Sequence, residues 1–178
     1  MYPDYLLKIR EVIHAVARQE DSELRRYSGK GILLMPELAF VHQVAKELSL
    51  RCNEVFNTPN IQWEMNKNFG AGLTDLIIIP QGIGANKIAF EFKIGGGIQT
   101  WIDDIDKINQ LDSNEYDRIF VSLIDVFVND LMTHCRIKDI DQHPSTIRIG
   151  NNFDFFTTVT NYVTQTCCVV GTWFIQER

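Results

Sequence analysis

Thr74-Asp75-Leu76-Ile77-Ile78-Ile79 and Lys87-Ile88-Ala89-Phe90-Glu91-Phe92-Lys93-Ile94 are the two stretches on which the fold turns. The first is rich in β-branched residues and is stopped by Pro80. The second alternates with a period of two and runs into Gly95-Gly96-Gly97. Both read as strands. The segment between them, Pro80 to Asn86, is rich in turn residues and makes the pair a hairpin. Pairing Ile79 with Lys87 sets Ile77 opposite Ala89 and Asp75 opposite Glu91. Alternation then gives Asp75, Glu91 and Lys93 one face, and Leu76, Ile78, Ile88, Phe90 and Phe92 the other, which is core. Two carboxylates directly opposed on a sheet repel each other. Such a pair is stable when a cation or a proton sits between them. Hard divalent cations, Mg²⁺ or Mn²⁺, prefer an oxygen-only environment of this kind. A slip of one residue would undo the arrangement.

Upstream, residues 4–27 read as an amphipathic helix, with Leu6, Ile9, Val12, Ile13, Val16 and Ala17 at helical spacing. Ser28-Gly29-Lys30-Gly31 breaks it. That break is not a phosphate loop, because no Gly stands five residues before Gly29 and no Ser or Thr follows Lys30. A second helix is expected from Pro36, a favoured first helical position, to about Ser49. Residues 61–66 are a weaker strand, 100–111 a helix and 118–124 a buried strand. Beyond 125 the signal fades. A short helix near 126–133 and strands near 146–149 and 167–175 are expected, and 153–164 fits either state.

Glu37 is the second anomaly. It lies on the same helical stripe as Phe40, Val41, Val44 and Leu48, which aims a carboxylate at the core or at something bound beside it. Its place in the first turn helps keep it ionised, since the helix dipole favours negative charge there. The plain alternative is an exposed first-turn Glu.

Glu37, then Thr74-Asp75-Leu76, then Glu91-Phe92-Lys93 together resemble the PD-(D/E)XK nuclease superfamily. The expected element order over residues 36–124 is similar to that superfamily's αβββαβ core. Gly72-Leu73-Thr74 stands where the name-giving Pro would be. The resemblance implies an α/β restriction endonuclease-like fold, with a mixed sheet flanked by helices. It implies a metal-dependent endonuclease acting on phosphodiesters, most simply DNA. Asp75, Glu91 and the backbone carbonyl of Phe92 would hold Mg²⁺, with Mn²⁺ as substitute. Glu37 would complete the shell, directly or through water, and Lys93 would orient or activate the attacking water. Gln99 and Thr100 open the next helix near the site and are weak substrate candidates. Arg18, Arg25, Arg26 and Lys30 read as a phosphate-backbone track or as an exposed helix end. Trp63 and Glu64 are weaker candidates at the cleft. Trp101 is read as core, and Asp103 with Lys107 as a solvated i,i+4 pair. The alternative function is a non-catalytic module of the same fold, for protein interaction or nucleic-acid binding.

The 178 residues suggest one domain, with 1–30 as an N-terminal helix, 31–125 as the core and 126–178 as an extension. No apolar run approaches the ~20 residues of a membrane span, and no secretory signal is visible. Cys52, Cys135, Cys167 and Cys168 form no C-x-x-C pair and read as buried free thiols of a reducing, cytoplasmic setting. A homodimer would suit cleavage of both strands. The formal charge of -6 at first disfavours nucleic acid. Its distribution weakens that objection. Residues 1–93 carry 11 basic and 11 acidic side chains, whereas 94–178 carry 6 and 12. Nucleic acid is expected at the first part, with the acidic remainder facing away.

Overall fold

The structure, a computed structural model, describes residues 3–68, 72–81, 86–131, 133–151, 153–160 and 165–177. The chain opens with helix α1 (Tyr5–Ser28), a 3-10 turn (Ile32–Leu34), α2 (Glu37–Leu50) and a short α3 (Cys52–Phe56). Strands β1 (Ile61–Asn68), β2 (Leu73–Pro80) and β3 (Lys87–Ile94) follow, then α4 (Ile98–Ile108) and β4 (Tyr116–Phe127). The remainder holds a 3-10 turn (Val128–Asp130), α5 (Cys135–Gln142), β5 (Thr146–Arg148), β6 (Asp154–Thr158) and β7 (Thr166–Ile175). Among the described residues the seven strands form one mixed sheet in the order β1-β2-β3-β4-β7-β5, with β6 also on β7. Only β3 and β4 run parallel, and α4 is the crossover between them.

The hairpin register is the one that the alternation predicts: Ile77 faces Ala89, Leu76 faces Phe90 and Ile78 faces Ile88. Most of the hairpin turn, Gly82–Ala85, lies outside the described residues. Leu76, Ile78, Ile88, Phe90 and Phe92 pack with Leu6, Ile13, Phe40 and Val44 of α1 and α2. Ile77 and Ala89 pack on the other face with Trp101 and Ile105 of α4 and with Ile137 and Ile140 of α5. The sheet is thus covered on both faces, and the polar site can only lie where the α4 face ends.

The expected helix near 126–133 is not formed. Val126 and Phe127 instead pair with Cys167 and Thr166 of β7, and one 3-10 turn follows, with Met132 outside the described residues. The tertiary pairing of a long β7 outweighs a weak local helical pattern. Pro36 is the cap preceding α2, not its first residue. Of the segment 153–164, residues 154–158 are strand and 161–164 lie outside the described residues. Cys167 and Cys168 are buried as expected, but Cys135 is exposed at the start of α5. No described helix is long and apolar enough to cross a membrane.

Two glycines set the path from α1 to α2. Gly29 caps α1 at φ 68°, a left-handed conformation that favours glycine. Gly31 donates its N–H to the Val159 carbonyl at 3.0 Å, and a Cβ there would overlap the Thr158 hydroxyl and the Val159 backbone.

α1 is tied to β6 by His14, which meets the Asp154 carboxylate while Arg10 reaches the same oxygen at 3.0 Å. Burial first, and then the neighbouring Arg10, hold His14 down at about 4, outweighing Asp154. An unfolded histidine titrates near 6.5, so between these values the unfolded chain binds the extra proton. The stability contributed by neutral His14 is therefore complete above pH 6.5 and is lost as the pH falls toward 4. Urea unfolding should show wild type losing up to about 3 kcal/mol more than His14→Gln across this window. Parallel curves for the two proteins would refute the assignment.

Candidate functional site

Asp75 stands one step beyond the last paired position of the hairpin, Leu76 with Phe90. Here β2 and β3 part, and the Asp75 side chain fills the gap: its Oδ2 accepts the Phe92 N–H at 2.8 Å. Extending the register by one residue sets Asp75 across from Glu91. Glu91 is only 2% exposed. Its Oε1 accepts from Lys107 Nζ at 2.7 Å, while its Oε2 is buried without a partner. Burial, followed by repulsion from Asp75, raises Glu91 to about 7. Burial likewise raises Asp75 and Glu37.

Glu37 comes to the same end of the sheet from the first turn of α2. Its Oε2 accepts the Ile94 N–H at 2.9 Å and its Oε1 lies 3.7 Å from Lys93 Nζ. It thus caps the end of β3 beside the Asp75–Glu91 pair rather than joining it. Lys93 Nζ lies 3.1 Å from Asp104 and 3.5 Å from Glu91. Burial alone would lower Lys93, but Glu37, Glu91 and Asp104 together hold it above the usual lysine range.

Two members of the cluster were not among the site residues expected from the sequence. Asp104 and Lys107 both come from α4, 3.2 Å apart. Lys107 does not pair with Asp103 on a solvated face. It turns to the sheet, donating to Glu91 and, at 2.8 Å, to the Leu73 carbonyl. Asp103 instead accepts from Gln99 at 2.8 Å. Spacing could not separate these cases, because residues three and four apart share a helix face.

The other candidates divide. Gln99 and Thr100 are exposed at the start of α4, and Trp101 is core as read, fully buried and donating to the Gly95 carbonyl. Trp63 pairs with Ile78, which gives it the α2 face, where its ring meets His42; it does not face the site. The basic segment on α1 is largely engaged. Arg25 pairs with Asp21, Arg18 lies over the Phe156 ring and Arg26 lies over the Tyr27 ring. A cavity of about 500 Å³ opens between Leu33–Leu34 and Gly95–Gly96, next to the strand end that Glu37 caps.

The cluster therefore contains four carboxylates, Glu37, Asp75, Glu91 and Asp104, against two ammonium groups, Lys93 and Lys107. Fully ionised, it lacks two positive charges, and this deficit adds to burial, the main cause, in raising Glu37, Asp75 and Glu91. The orphaned Glu91 Oε2 and the Asp75 carboxylate beside it are hard oxygen donors of the kind a divalent cation takes, but Lys107 and Lys93 Nζ already lie 2.7 and 3.5 Å from Glu91 Oε1. In their present positions no three His, Cys, Asp or Glu side chains among the described residues are grouped to hold a metal ion. Asp75 and Glu91 are the two carboxylates that would face such an ion, and Lys107 neutralises part of Glu91.

Compared with family models, with curated proteins and with solved structures, the chain matches none.

Proposed function

We propose that the protein is a metal-dependent endonuclease of restriction endonuclease-like architecture, hydrolysing phosphodiester bonds in DNA. The observation that carries this reading is Glu91, a buried carboxylate beside Asp75 with one unpartnered oxygen. A chain gains nothing in stability from burying two adjacent acids, so the arrangement points to a ligand that neutralises them. Asp75 and Glu91, completed by the Phe92 carbonyl, would hold Mg²⁺ or Mn²⁺. When bound, the ion supplies Lewis-acid polarisation of the phosphate and acidifies a coordinated water. Lys93, held as an ammonium by its carboxylate neighbours, is unsuited to accepting a proton. It orients the water and offsets charge on the phosphate oxygens. Glu37 positions Lys93 from the α2 side, and Lys107 fixes the orientation of Glu91.

Supercoiled plasmid DNA with Mg²⁺ or Mn²⁺ tests the reading. Wild type is expected to nick and linearise it, and EDTA to stop the reaction. Lys93→Met should cleave roughly 100- to 1,000-fold more slowly while calorimetry still finds a Mn²⁺ site. Equal cleavage by both proteins would assign the activity to contamination. A second reading is a charge-compensated module without catalysis, favoured by Lys107 Nζ already lying 2.7 Å from Glu91 Oε1. It predicts no Mn²⁺ binding by wild type.

A further inference from the structure

β1 pairs with β2 at every described step except one: Met65 faces Leu76 and Lys67 faces Thr74, and between them Asn66 falls opposite Asp75 without pairing. Asn66 has φ 54°, a left-handed conformation inside a strand. A non-glycine residue there carries strain that the rest of the chain must offset, and such residues concentrate at functional sites. Asn tolerates the conformation better than most side chains. Nothing local uses it here. Asn66 caps no helix and turns no hairpin, unlike Asn57, whose positive φ ends α3.

The consequence for Asp75 is specific. On the β3 side the ladder ends at Leu76, and on the β1 side Asn66 breaks it at the same step. Asp75 is therefore the point at which the sheet opens on both sides. The kink also changes what β1 presents. Residues three apart on a regular strand lie on opposite faces, yet Lys67 reaches Glu64 across Asn66 at 2.5 Å. The Asn66 carboxamide is exposed and has no hydrogen-bond partner among the described residues. By pairing, Glu64 shares the face of Ile77, and the register on either side of the kink sets Asn66 directly across from Asp75.

We infer that Asn66 is a substrate-contacting residue of this site, its carboxamide donating to the phosphodiester backbone of DNA lying across Asp75 and Glu91. The inference rests on the nuclease reading above and adds to it a residue on the edge strand. A carboxamide suits this task. It donates to phosphate oxygens without adding a charge to a cluster already crowded with carboxylates.

Glycine separates the side chain from the backbone. Asn66→Gly keeps the positive φ without strain and removes only the carboxamide. Asn66→Ala keeps neither, and Asn66→Asp adds a charge that repels phosphate. On a Lys93→Met background, where turnover is suppressed, fluorescence anisotropy with a labelled DNA duplex and Mn²⁺ should show binding weakened about tenfold by Asn66→Gly. Asn66→Asp should weaken it further. In the otherwise native chain Asn66→Gly should raise KM for DNA with little change in kcat. It should leave both the melting midpoint and Mn²⁺ titration unaltered, whereas Asn66→Ala should lower the midpoint. Wild-type DNA binding and KM in Asn66→Gly would overturn the inference and make the kink a purely structural feature. If Lys93→Met shows no DNA binding and the native chain no cleavage, the nuclease reading fails and this inference fails with it.

Discussion

Asp75→Asn is expected to lose roughly three orders of magnitude in cleavage rate and at the same time to make the protein more stable. The two effects have one cause. The asparagine Oδ1 can still accept the Phe92 N–H that Asp75 now takes at 2.8 Å, so the gap between β2 and β3 stays closed. What disappears is the negative charge beside Glu91. With it goes a main cause, after burial, of the rise of Glu91 to about 7. The folded chain holds a proton on Glu91 that the unfolded chain, titrating near 4.5, has released. Stability therefore falls as pH rises through this window. Relieving Asp75 lowers the folded value and shrinks that loss. The gain should be about 1 kcal/mol at pH 7.5 and should vanish well below pH 4.5, where both states are protonated. Urea midpoints at the two pH values, together with Mn²⁺ calorimetry, check it. A stabilised protein that no longer binds Mn²⁺ marks Asp75 as a ligand-holding residue. A destabilised one that still cleaves DNA would mark it as structural and remove the metal pair from the proposal.

This trade between stability and ligand binding also explains which parts of the site were legible. Asp75 and Glu91 break an otherwise apolar period-two pattern, and a two-residue period has only two faces, so the register followed from Ile77 and Ala89. Glu37 was legible for the same reason, as a charge on an apolar helical stripe. Asp104 and Lys107 break nothing. On α4 they sit among Asp103 and Asp106, and a polar face that packs against a site has the same sequence as one that meets water. Only the crossover from β3 to β4 decides between them, by laying α4 over Glu91. Asn66 was hidden because a backbone dihedral leaves no trace in a single sequence when the residue is not glycine. The tail was obscure because β5 and β6 are short, three and five residues, and take their form from β7. The expectation of a helix at 126–133 failed because Val126 and Phe127 of β4 pair with β7 as well.

Asp21→Ala is expected to cost about 3–5 kcal/mol of stability, although α1 carries none of the catalytic candidates. Asp21 is fully buried on α1. Its Oδ1 accepts the Ile32 N–H at 3.0 Å and the Thr158 hydroxyl, and Arg25 Nε lies 2.9 Å from Oδ2 without hydrogen-bond alignment. One carboxylate thus fastens the 3-10 turn before α2 and the end of β6 to the same helix. Alanine would orphan the buried Ile32 N–H and leave Arg25 without its partner. Asp21→Asn keeps an acceptor for Ile32 and Thr158 and should lose less than half as much. The effect should also reach the site. The Ile32–Leu34 turn leads through Met35 and Pro36 into Glu37, whose carboxylate caps Ile94 and faces Lys93. Loosening the turn should weaken Mn²⁺ binding under conditions where Asp21→Ala is still folded, and Asp21→Asn should restore it. An Asp21→Ala protein with the wild-type urea midpoint would show that the turn is held by packing at Ile32 and Gly31 alone. In that case the position of Glu37 would not depend on α1.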